Sequence, residues 1–592
     1  MTPADANRRP EKRAASREGG FPRLRVSLFS LALLAFAAVL GMNGCGGVGP
    51  SNTPPPGGAT GFPEPPSPPD ATLTMTDVQN IVTAAASSVN DPSLIIAVTD
   101  RVGNVLAVYR NPSAPAMAVG NFGAMINAND LAVGLARTAS FFSNDQAPLS
   151  SRTVRFISGI HFPPGVMNQP NAALYGIENT NRGCQLVPPA NFLPNQALPP
   201  ATALAGGPGS GIVTGKADVM DSQPFAVNPG GVPIFKQNAM GSVFAVGGVG
   251  VVNASLMANP ANPNNLDESE YVAFAGAFSS GFGIPSLPPP GVVIIGGIAL
   301  PFVNNTTNPT TFGAGTFNAA NFVMGPIASP LVQQGAGNYV PEGDLIAPAA
   351  GPVGGLTAAQ VTEVLDAATA AADQTRGIIR LPLGSRAHMV FAVADLDGTL
   401  IGLRRMRDAT IFSVDVAASK ARNMIYFNSG SRVPADLMPL PLGTSVTDRT
   451  ISFGAQPLYP PGIDGTAPGP FFNLFLSDVA NPCSQGSQPA GPNQSGIVFF
   501  PGSVGLYVNG QLVGGFGVSG DGVDQDDFVT NSGASGFLNF TALCSGMNCF
   551  LPAPSVRADQ FCVDATGAMQ PCSDKNQATR LPFNKFPNNP TD

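Results

Sequence analysis

The chain has 592 residues, of which 69 are glycine and 60 are proline, whereas Asp, Glu, Lys and Arg together account for only 11%. Apolar residues make up 44%, which argues against wholesale disorder, and the length argues against one compact domain. Residues 1–25 carry a local charge of +4 within a net charge of −8, so the remainder carries −12, which argues against nucleic acid as a partner.

The N-terminus has the pattern of an export signal. An uncharged, apolar run at 26–42 follows the basic stretch and ends just before Cys45. The Gly-Cys ending resembles bacterial lipoprotein signals, which implies lipidation of Cys45 and a membrane anchor through that lipid. An ordinary cleaved signal and an uncleaved anchor are the alternatives. We therefore predict a signal peptide at 1–44, a Pro/Gly-rich linker at 45–72, and an exported protein that is held at the cell envelope or secreted.

The body of the chain contains one pattern twice. Residues 152–165 recur at 449–462, exactly 297 positions later, with Arg-Thr-Val/Ile, Phe and Pro-Pro-Gly in the same places. Further matches follow the same order at shifts of 295 and 285 upstream and 267 downstream. Because the shift changes only by insertions between matches, this order indicates an internal duplication. We predict copies at 73–282 and 356–540 that pack as an internal pseudo-dimer, with higher oligomers left open, and an inter-domain linker with a short strand at 283–355.

The second copy is predicted to begin with a helix and a hairpin. Thr357 and Gln360 have capping-box spacing, and an apolar stripe at helical spacing follows them. A strand at 389–394, the turn Asp397-Gly398 and a returning strand at 400–403 come next, and a second helix spans about 412–424.

A second hairpin follows at 505–518, around the turn Asn509-Gly510, and an acidic segment starts at Asp524. Tight turns force neighbouring strands to be antiparallel, so the helices must cover the sheet as layers. The predicted fold class is therefore α+β, with two repeated domains. Each is an antiparallel sheet of hairpins covered by helices, with long Pro/Gly-rich loops.

Four stretches of the second copy resemble the GlcG/HbpS family of haem-binding proteins, a domain also seen at the C-terminus of PduO-type proteins. The matching stretches are 394–400, 404–409, 413–422, and 509–519 followed by Asp524-Gln525-Asp526. The resemblance implies haem or a related tetrapyrrole as the ligand. The first copy departs from the pattern at Arg101, at Leu135 in place of Lys420, and at Asn253 in place of Gly520, so binding is expected of the second copy.

Under this resemblance, His388 is the candidate axial ligand of a haem iron. The chain has only two histidines, and the other, His161, lies outside the repeated pattern. The alternative for His388 is a solvated histidine at the end of a strand. Met406 and Tyr507 are the substitute ligands, with core packing as their alternative.

The second copy also holds the densest cluster of basic residues in the mature chain. Guanidinium and ammonium groups bind carboxylates well, so the cluster is a candidate site for haem propionates. The alternative is that the arginines pair with Asp395, Asp397, Asp408 or Asp415. The cluster consists of Arg404, Arg405, Arg407, Lys420 and Arg422.

Two glycine-rich strings, at 247–250 and 514–520, do not have the context of a dinucleotide-binding loop. Each follows a hairpin turn and alternates with Val or Phe as a strand does, and no helix opens directly after it. Close backbone packing, or room for a flat ligand, explains these glycines better.

The cysteines other than Cys45 number six, an even set that suggests disulfides in an exported chain. Cys184 and Cys483 lie in equivalent loops, which predicts a bridge between the copies, with pairing to tail cysteines as the alternative. Two local bridges are predicted in a C-terminal tail at 541–592. A zinc site there is possible by residue type but has poor spacing. The six are Cys184, Cys483, Cys544, Cys549, Cys562 and Cys572.

The predicted function is therefore a non-catalytic, exported and lipid-anchored protein that binds haem or a related tetrapyrrole. The alternatives are a cell-surface scaffold that keeps the fold without a ligand, and an enzyme. No Ser/His/Asp, Cys/His or paired-carboxylate arrangement stands out in the sequence to support the enzyme.

Overall fold

The computed structural model describes residues 72–101, 103, 105–120, 125–179, 226–254, 267–278, 293–324, 342–481, 484–489, 493–535, 556–564, 568–573 and 579–584. The predicted signal peptide and Cys45 lie outside these residues, as do Cys184, Cys483, Cys544 and Cys549. Among the described residues, no helix has both the length and the apolar character needed to cross a bilayer.

Both copies have the predicted order of helix, hairpin, helix, hairpin and helix. In the first copy these are α1 Met75–Ser88, β1 Ile95–Asp100, β2 Val105–Arg110, α2 Ala128–Phe142, β5 Gly231–Gln237, β6 Val243–Val252 and α4 Asp267–Phe278. In the second they are α5 Ala358–Gln374, β11 Val390–Ala394, β12 Leu400–Arg405, α6 Phe412–Phe427, β13 Ser503–Val508, β14 Gln511–Ser519 and α9 Val523–Ser535.

Shorter elements fill the connections. The strands are β3 Met117–Val119, β4 Met125–Asn127, β7 Ile294–Ile295, β8 Ile298–Ala299, β9 Phe322–Met324, β10 Gly343–Ile346, β15 Phe561–Val563 and β16 Met569–Pro571. The helices are α3 Ser151–Phe156, α7 Asp448–Gly454 and α8 Phe472–Ala480, with 3-10 turns at Ile177–Asn179, Ala319–Asn321, Pro434–Leu437 and Ala558–Gln560.

Each copy contains a five-stranded antiparallel sheet with the same strand order. The orders are β5-β6-β1-β2-β9 and β13-β14-β11-β12-β10, so the first strand of the first hairpin pairs with the second strand of the second. The outer strands β9 and β10 both come from the region predicted as a linker with one short strand; that region holds four described strands. Each sheet is thus completed by the segment that joins the copies.

Helices cover both faces of each sheet because successive strand residues point to opposite sides. In β1, Ile96 and Val98 pack with α1 and α4, whereas Ile95 and Ala97 pack with α2. In β11, Phe391 packs with α5 and α9, and its neighbours face α6. The α+β layered fold predicted from the hairpin turns is therefore confirmed.

The two copies contact each other where α2 ends and α6 begins. The rings of Phe142 and Phe412 stack with their centroids 4.0 Å apart, and the backbone N–H of Ile411 donates to the Phe141 carbonyl over 3.0 Å. All 16 residues of α6 are buried, including its polar ones. The copies therefore share one core, as expected of an internal pseudo-dimer.

The glycine-rich strings allow a helix to lie directly on the backbone of each sheet. A Cβ added to Gly250 would lie 1.9 Å from the Ala132 carbonyl oxygen, and one added to Gly517 would lie 2.3 Å from that of Ala417. These distances are far inside van der Waals contact. Close backbone packing, rather than room for a flat ligand, accounts for these two glycines.

One predicted tail disulfide lies among the described residues. Cys562 and Cys572 are bonded across the β15–β16 pair. A zinc site that uses these two thiolates is therefore excluded. The tail contacts the second copy, because the Thr450 hydroxyl donates to the Pro582 carbonyl over 2.7 Å.

Candidate functional site

The two arginines at the end of β12 are buried and already have partners. The Arg404 guanidinium donates to Asp344 over 2.5 Å and to Asp366 over 2.6 Å. Arg405 donates to the Ala409 carbonyl over 2.5 Å and lies 3.7 Å from the carboxylate of Glu342. Asp344 and Asp366, which pair with Arg404, are not among the aspartates predicted as its partners.

The two basic residues on α6 are also internal. The Lys420 ammonium donates to the Val518 carbonyl over 2.7 Å and to Asp526 over 3.0 Å, and no part of the residue is exposed. Arg422 donates to the Gly398 carbonyl over 3.0 Å and thereby supports the turn of the first hairpin. These contacts hold the copy together.

Among the five predicted basic residues, only Arg407 is exposed. Arg404, Arg405, Lys420 and Arg422 are at most 5% exposed. A haem propionate could reach one of these four only by displacing a buried partner, which would leave that partner's polar group desolvated. The cluster therefore does not fit propionates as it stands, and its role in binding stays a prediction.

His388 lies just before β11 and is partly buried. Burial lowers the pKa of His388 to about 4, the Arg380 guanidinium contributes in the same direction, and the Asp408 carboxylate opposes it. The imidazole is therefore neutral at pH 7. Its Nδ1 atom is buried and has no hydrogen-bond partner in the part of the chain that the structure describes. An unpartnered nitrogen of a neutral imidazole has the chemistry of an iron ligand, and because Nδ1 is buried, a haem iron could reach it only if the residues around it moved.

The two substitute ligands are occupied by contacts within the protein. The Met389 N–H donates to Met406 Sδ over 3.3 Å, and Met406 is 4% exposed. The Tyr507 hydroxyl donates to Asn428 Oδ1 over 3.0 Å, and burial raises the pKa of Tyr507 to about 12. Both placements match the core-packing alternative.

Two buried aspartates, Asp526 and Asp448, lie near the Lys420 ammonium. Burial raises the pKa of Asp526 to about 7, although the Lys420 ammonium acts in the opposite direction. Burial likewise raises the pKa of Asp448, which precedes the repeated arginine. The sequence marked Asp526 only as part of a stretch that resembles the family, and it did not mark Asp448, since nothing local shows that an aspartate is buried.

The first copy has small or apolar residues at the three positions equivalent to Lys420, Asp448 and Asp526. By the repeat shifts of 285 and 297, Leu135 and Ser151 stand where the second copy has Lys420 and Asp448, and Ser269 lies on the helix equivalent to that of Asp526. A Cβ added to Gly230 would meet Leu135 and Ser269, and one added to Gly502 would meet Lys420 and Asp526, which confirms the correspondence. The fold therefore forms without this charged group.

A loop of each copy contacts a loop of the other through His161, Asn168 and Asp464, and we call this set of contacts the clasp. His161 Nε2 lies 2.8 Å from Asp464 Oδ1, and the backbones and side chains of Asn168 and Asp464 exchange two hydrogen bonds of 2.7 and 2.9 Å. A cavity of about 510 Å³ lies between the clasped loops. The sequence predicted neither the clasp nor the cavity, and His161 is explained by the clasp.

The second copy matches a known family model. Residues 356–535 match the model described as "Haem degrading protein HbpS-like". We refer to these residues, which are similar to that family, as the HbpS-like domain. The match covers less than a third of the chain, and the first copy lies outside it although its helices and strands follow the same order.

Two solved structures are similar to parts of this chain. One is titled "Crystal Structure of PduOC:Heme Complex"; it is 21% identical, covers 30% of this chain and 91% of its own, and has a TM-score of 0.20. The other is the Klebsiella pneumoniae protein ORFY, which is 21% identical, covers 31% of this chain and 90% of its own, and has a TM-score of 0.21. No curated protein matches the chain.

Within the HbpS-like domain, none of the seven predicted site residues lines the cavity between the copies. His388 offers an unpartnered nitrogen, whereas the cations and the substitute ligands are used in packing. No group of three or more His, Cys, Asp or Glu side chains among the described residues is arranged to hold a metal ion. Among the predicted site residues, His388 has an unpartnered imidazole nitrogen, and its role as a haem ligand stays a prediction.

Proposed function

We propose that the chain binds haem or a related tetrapyrrole through its HbpS-like domain. We further propose that it does so as an exported protein, lipid-anchored at Cys45, without catalytic activity of its own. The family match at residues 356–535 supports the ligand class, because the family description refers to haem. The first copy then serves as a partner that completes the shared core.

One observation carries the assignment of the ligand residue. The Nδ1 atom of His388 is buried and has no hydrogen-bond partner among the described residues, and an orphaned buried polar atom costs stability. Such a cost is tolerated at a site that gains a partner when its ligand binds. Iron in a bound tetrapyrrole supplies an electron-pair acceptor, and the imidazole supplies the lone pair.

The direct test is a haemin titration of the mature protein. We expect a saturable shift of the Soret band at about one equivalent. His388→Ala should remove the band shift or weaken binding at least tenfold. The matched control is His161→Gln, which removes the only other imidazole of the chain and should leave the spectrum unchanged.

Each outcome of this titration has a distinct meaning. A featureless sum of the two spectra for the wild-type protein would refute haem binding and would favour the scaffold, in which the buried cations serve stability alone. A band shift that survives in His388→Ala would keep the function and refute the ligand. Loss of the shift only in His161→Gln would move the ligand to the clasp between the copies.

The family description also supports haem degradation as a second candidate function. The haem-loaded protein should be incubated with ascorbate and oxygen while the Soret band is followed. A stable band, matched by haem bound to serum albumin under the same conditions, supports a binding protein. Progressive loss of the band with release of iron would establish an enzyme.

The anchor is tested by Cys45→Ser in a bacterial host. We expect the wild-type chain in the membrane fraction with a lipid mass on its first residue, and the variant without that lipid. A variant that stays in the membrane would instead support an uncleaved hydrophobic anchor at 26–42.

A further inference from the structure

The cavity between the copies has the size and lining of a small-molecule site. Its volume of about 510 Å³ lies within the range of about 300–1,000 Å³ typical of ligand pockets, whereas packed cores rarely hold a void larger than a water molecule. The walls carry mainly apolar side chains, including the rings of Phe162, Phe453, Tyr459 and Phe499, together with several prolines. Water alone fills such a space poorly because it finds few partners there.

The walls are held in place before any ligand binds. The 2.8 Å contact between His161 and Asp464 and the Asn168–Asp464 hydrogen bonds join the two loops that form opposite sides. The ring of Tyr175, from the first copy, stacks on that of Phe475 with centroids 5.6 Å apart. A preorganised cavity of this kind loses little entropy on binding.

One buried cation in the wall has an unused donor. Arg449 is 6% exposed, its Nε donates to Asp527 over 2.5 Å and its Nη2 to Asp524 over 2.7 Å. Its Nη1 has no hydrogen-bond partner among the described residues, and the residue lines the cavity. Asp527 is buried, whereas the side chain of Asp524 is 41% exposed. Two carboxylates thus fix the guanidinium, Asp524 lines the cavity together with Arg449, and Nη1 is left to donate to a further acceptor.

We propose that this inter-copy cavity binds a flat, largely apolar ring compound that carries an anionic oxygen, with that oxygen accepting from Arg449 Nη1. Aromatic and proline rings offer flat faces for stacking, and the guanidinium provides a charge-assisted hydrogen bond at one end. The site combines both copies and is separate from His388, which does not line it. A failure of this proposal would therefore leave haem ligation by His388 untouched, and a failure of haem ligation would leave this proposal untouched.

The test uses the dye 8-anilinonaphthalene-1-sulfonate, a flat apolar anion, with the full mature chain. We expect a saturable rise in dye fluorescence at about one equivalent. Ala173 lines the cavity, and Ala173→Trp fills the space without removing an ion pair. The control, Ala359→Trp, places the same ring at an exposed position of α5. The natural chain has no tryptophan, so each variant also carries one unique fluorophore.

We expect Ala173→Trp to weaken dye binding at least tenfold and Ala359→Trp to leave it unchanged. Arg449→Lys, which keeps the charge beside Asp527 but loses Nη1, should weaken binding about tenfold, as expected for one charge-assisted hydrogen bond. Thermal unfolding of each variant establishes that it is folded. Equal dye binding by the two tryptophan variants, or no saturable binding by the wild-type protein, would overturn the proposal.

Discussion

Arg449 Nε donates to Asp527 Oδ2 over 2.5 Å, and this buried pair has a counterpart in the first copy. There, Arg152 Nε on α3 donates to Glu270 Oε1 on α4 over 2.7 Å, and these helices are equivalent to α7 and α9 of the second copy. Arginine is retained in both copies, whereas the acid is Asp in one and Glu in the other. The duplication has therefore preserved the ion pair that fastens the last helix of each copy.

Removal of the acid from either pair should destabilise the protein strongly. Asp527→Asn removes the buried carboxylate partner of Arg449 and leaves only the more exposed Asp524, and Glu270→Gln removes the carboxylate that faces Arg152. The loss of one partner of a buried pair typically costs about 3–5 kcal/mol. Urea unfolding of the mature chain measures the loss. Asp77→Asn, which breaks the more exposed pair between Asp77 and Lys236, serves as the control and should cost less than about 1 kcal/mol.

The buried group around Lys420 should be replaceable only as a unit. Lys420→Leu alone leaves Asp526 buried without its cation, at a cost of about 3 kcal/mol or more in the free energy of unfolding. The triple change to Leu, Ser and Ser at positions 420, 448 and 526 reproduces the first copy and should recover most of that loss. A triple variant less stable than the single one in urea unfolding would contradict this coupling.

Stability should fall as the pH rises, in part because of Asp145. Burial and the neighbouring Asp408 carboxylate raise the pKa of Asp145 from 3.8 to about 7, against the effects of Arg101 and Arg380. A carboxyl group whose pKa is higher in the folded chain stabilises the fold below its unfolded value and loses that contribution as the pH rises through the folded value.

Asp145→Asn should therefore remove part of the decline in stability between about pH 4 and pH 7. The amide oxygen can still accept from the Ala245 N–H, which now donates to Asp145 over 2.9 Å. The measurement is the midpoint of urea unfolding at several pH values. Identical pH profiles for the variant and the wild-type protein would show that Asp145 titrates normally.

The close approach of helix and sheet predicts a severe effect of one added methyl group. Gly517→Ala would place a Cβ 2.3 Å from the Ala417 backbone oxygen, so α6 must shift, at an expected cost of about 3 kcal/mol. Gly430→Ala meets nothing within 4 Å and should change stability by less than about 0.5 kcal/mol. Thermal unfolding distinguishes the two, and equal midpoints would contradict the packing.

The sequence predicted the local structure well because local signals determine it. The capping box formed by Thr357 and Gln360 starts α5, and the Asn509-Gly510 turn has φ values of 52° and 78°, as a tight hairpin requires. The order of elements in each copy follows from such signals and from apolar periodicity. Repetition at ordered shifts then indicated two copies of one fold.

The partners of the charged residues could not be predicted in this way. Arg404 pairs with Asp344 and Asp366, which lie 60 and 38 positions away, rather than with the nearby aspartates that the sequence suggested. Asp344 belongs to β10, a strand whose pairing with β12 is a tertiary event. An ion pair over such a separation leaves no periodic trace in the sequence.

The amino-acid sequence by itself determined that this protein is a duplicated α+β chain, because turn chemistry and periodic burial act over a few residues at a time. Tertiary structure alone decided which cations are buried. It also brought His161 of the first copy into contact with Asp464 of the second, and it formed the cavity between the two loops that carry them. Those features depend on the interface between two whole domains, and packing among residues hundreds of positions apart determines that interface.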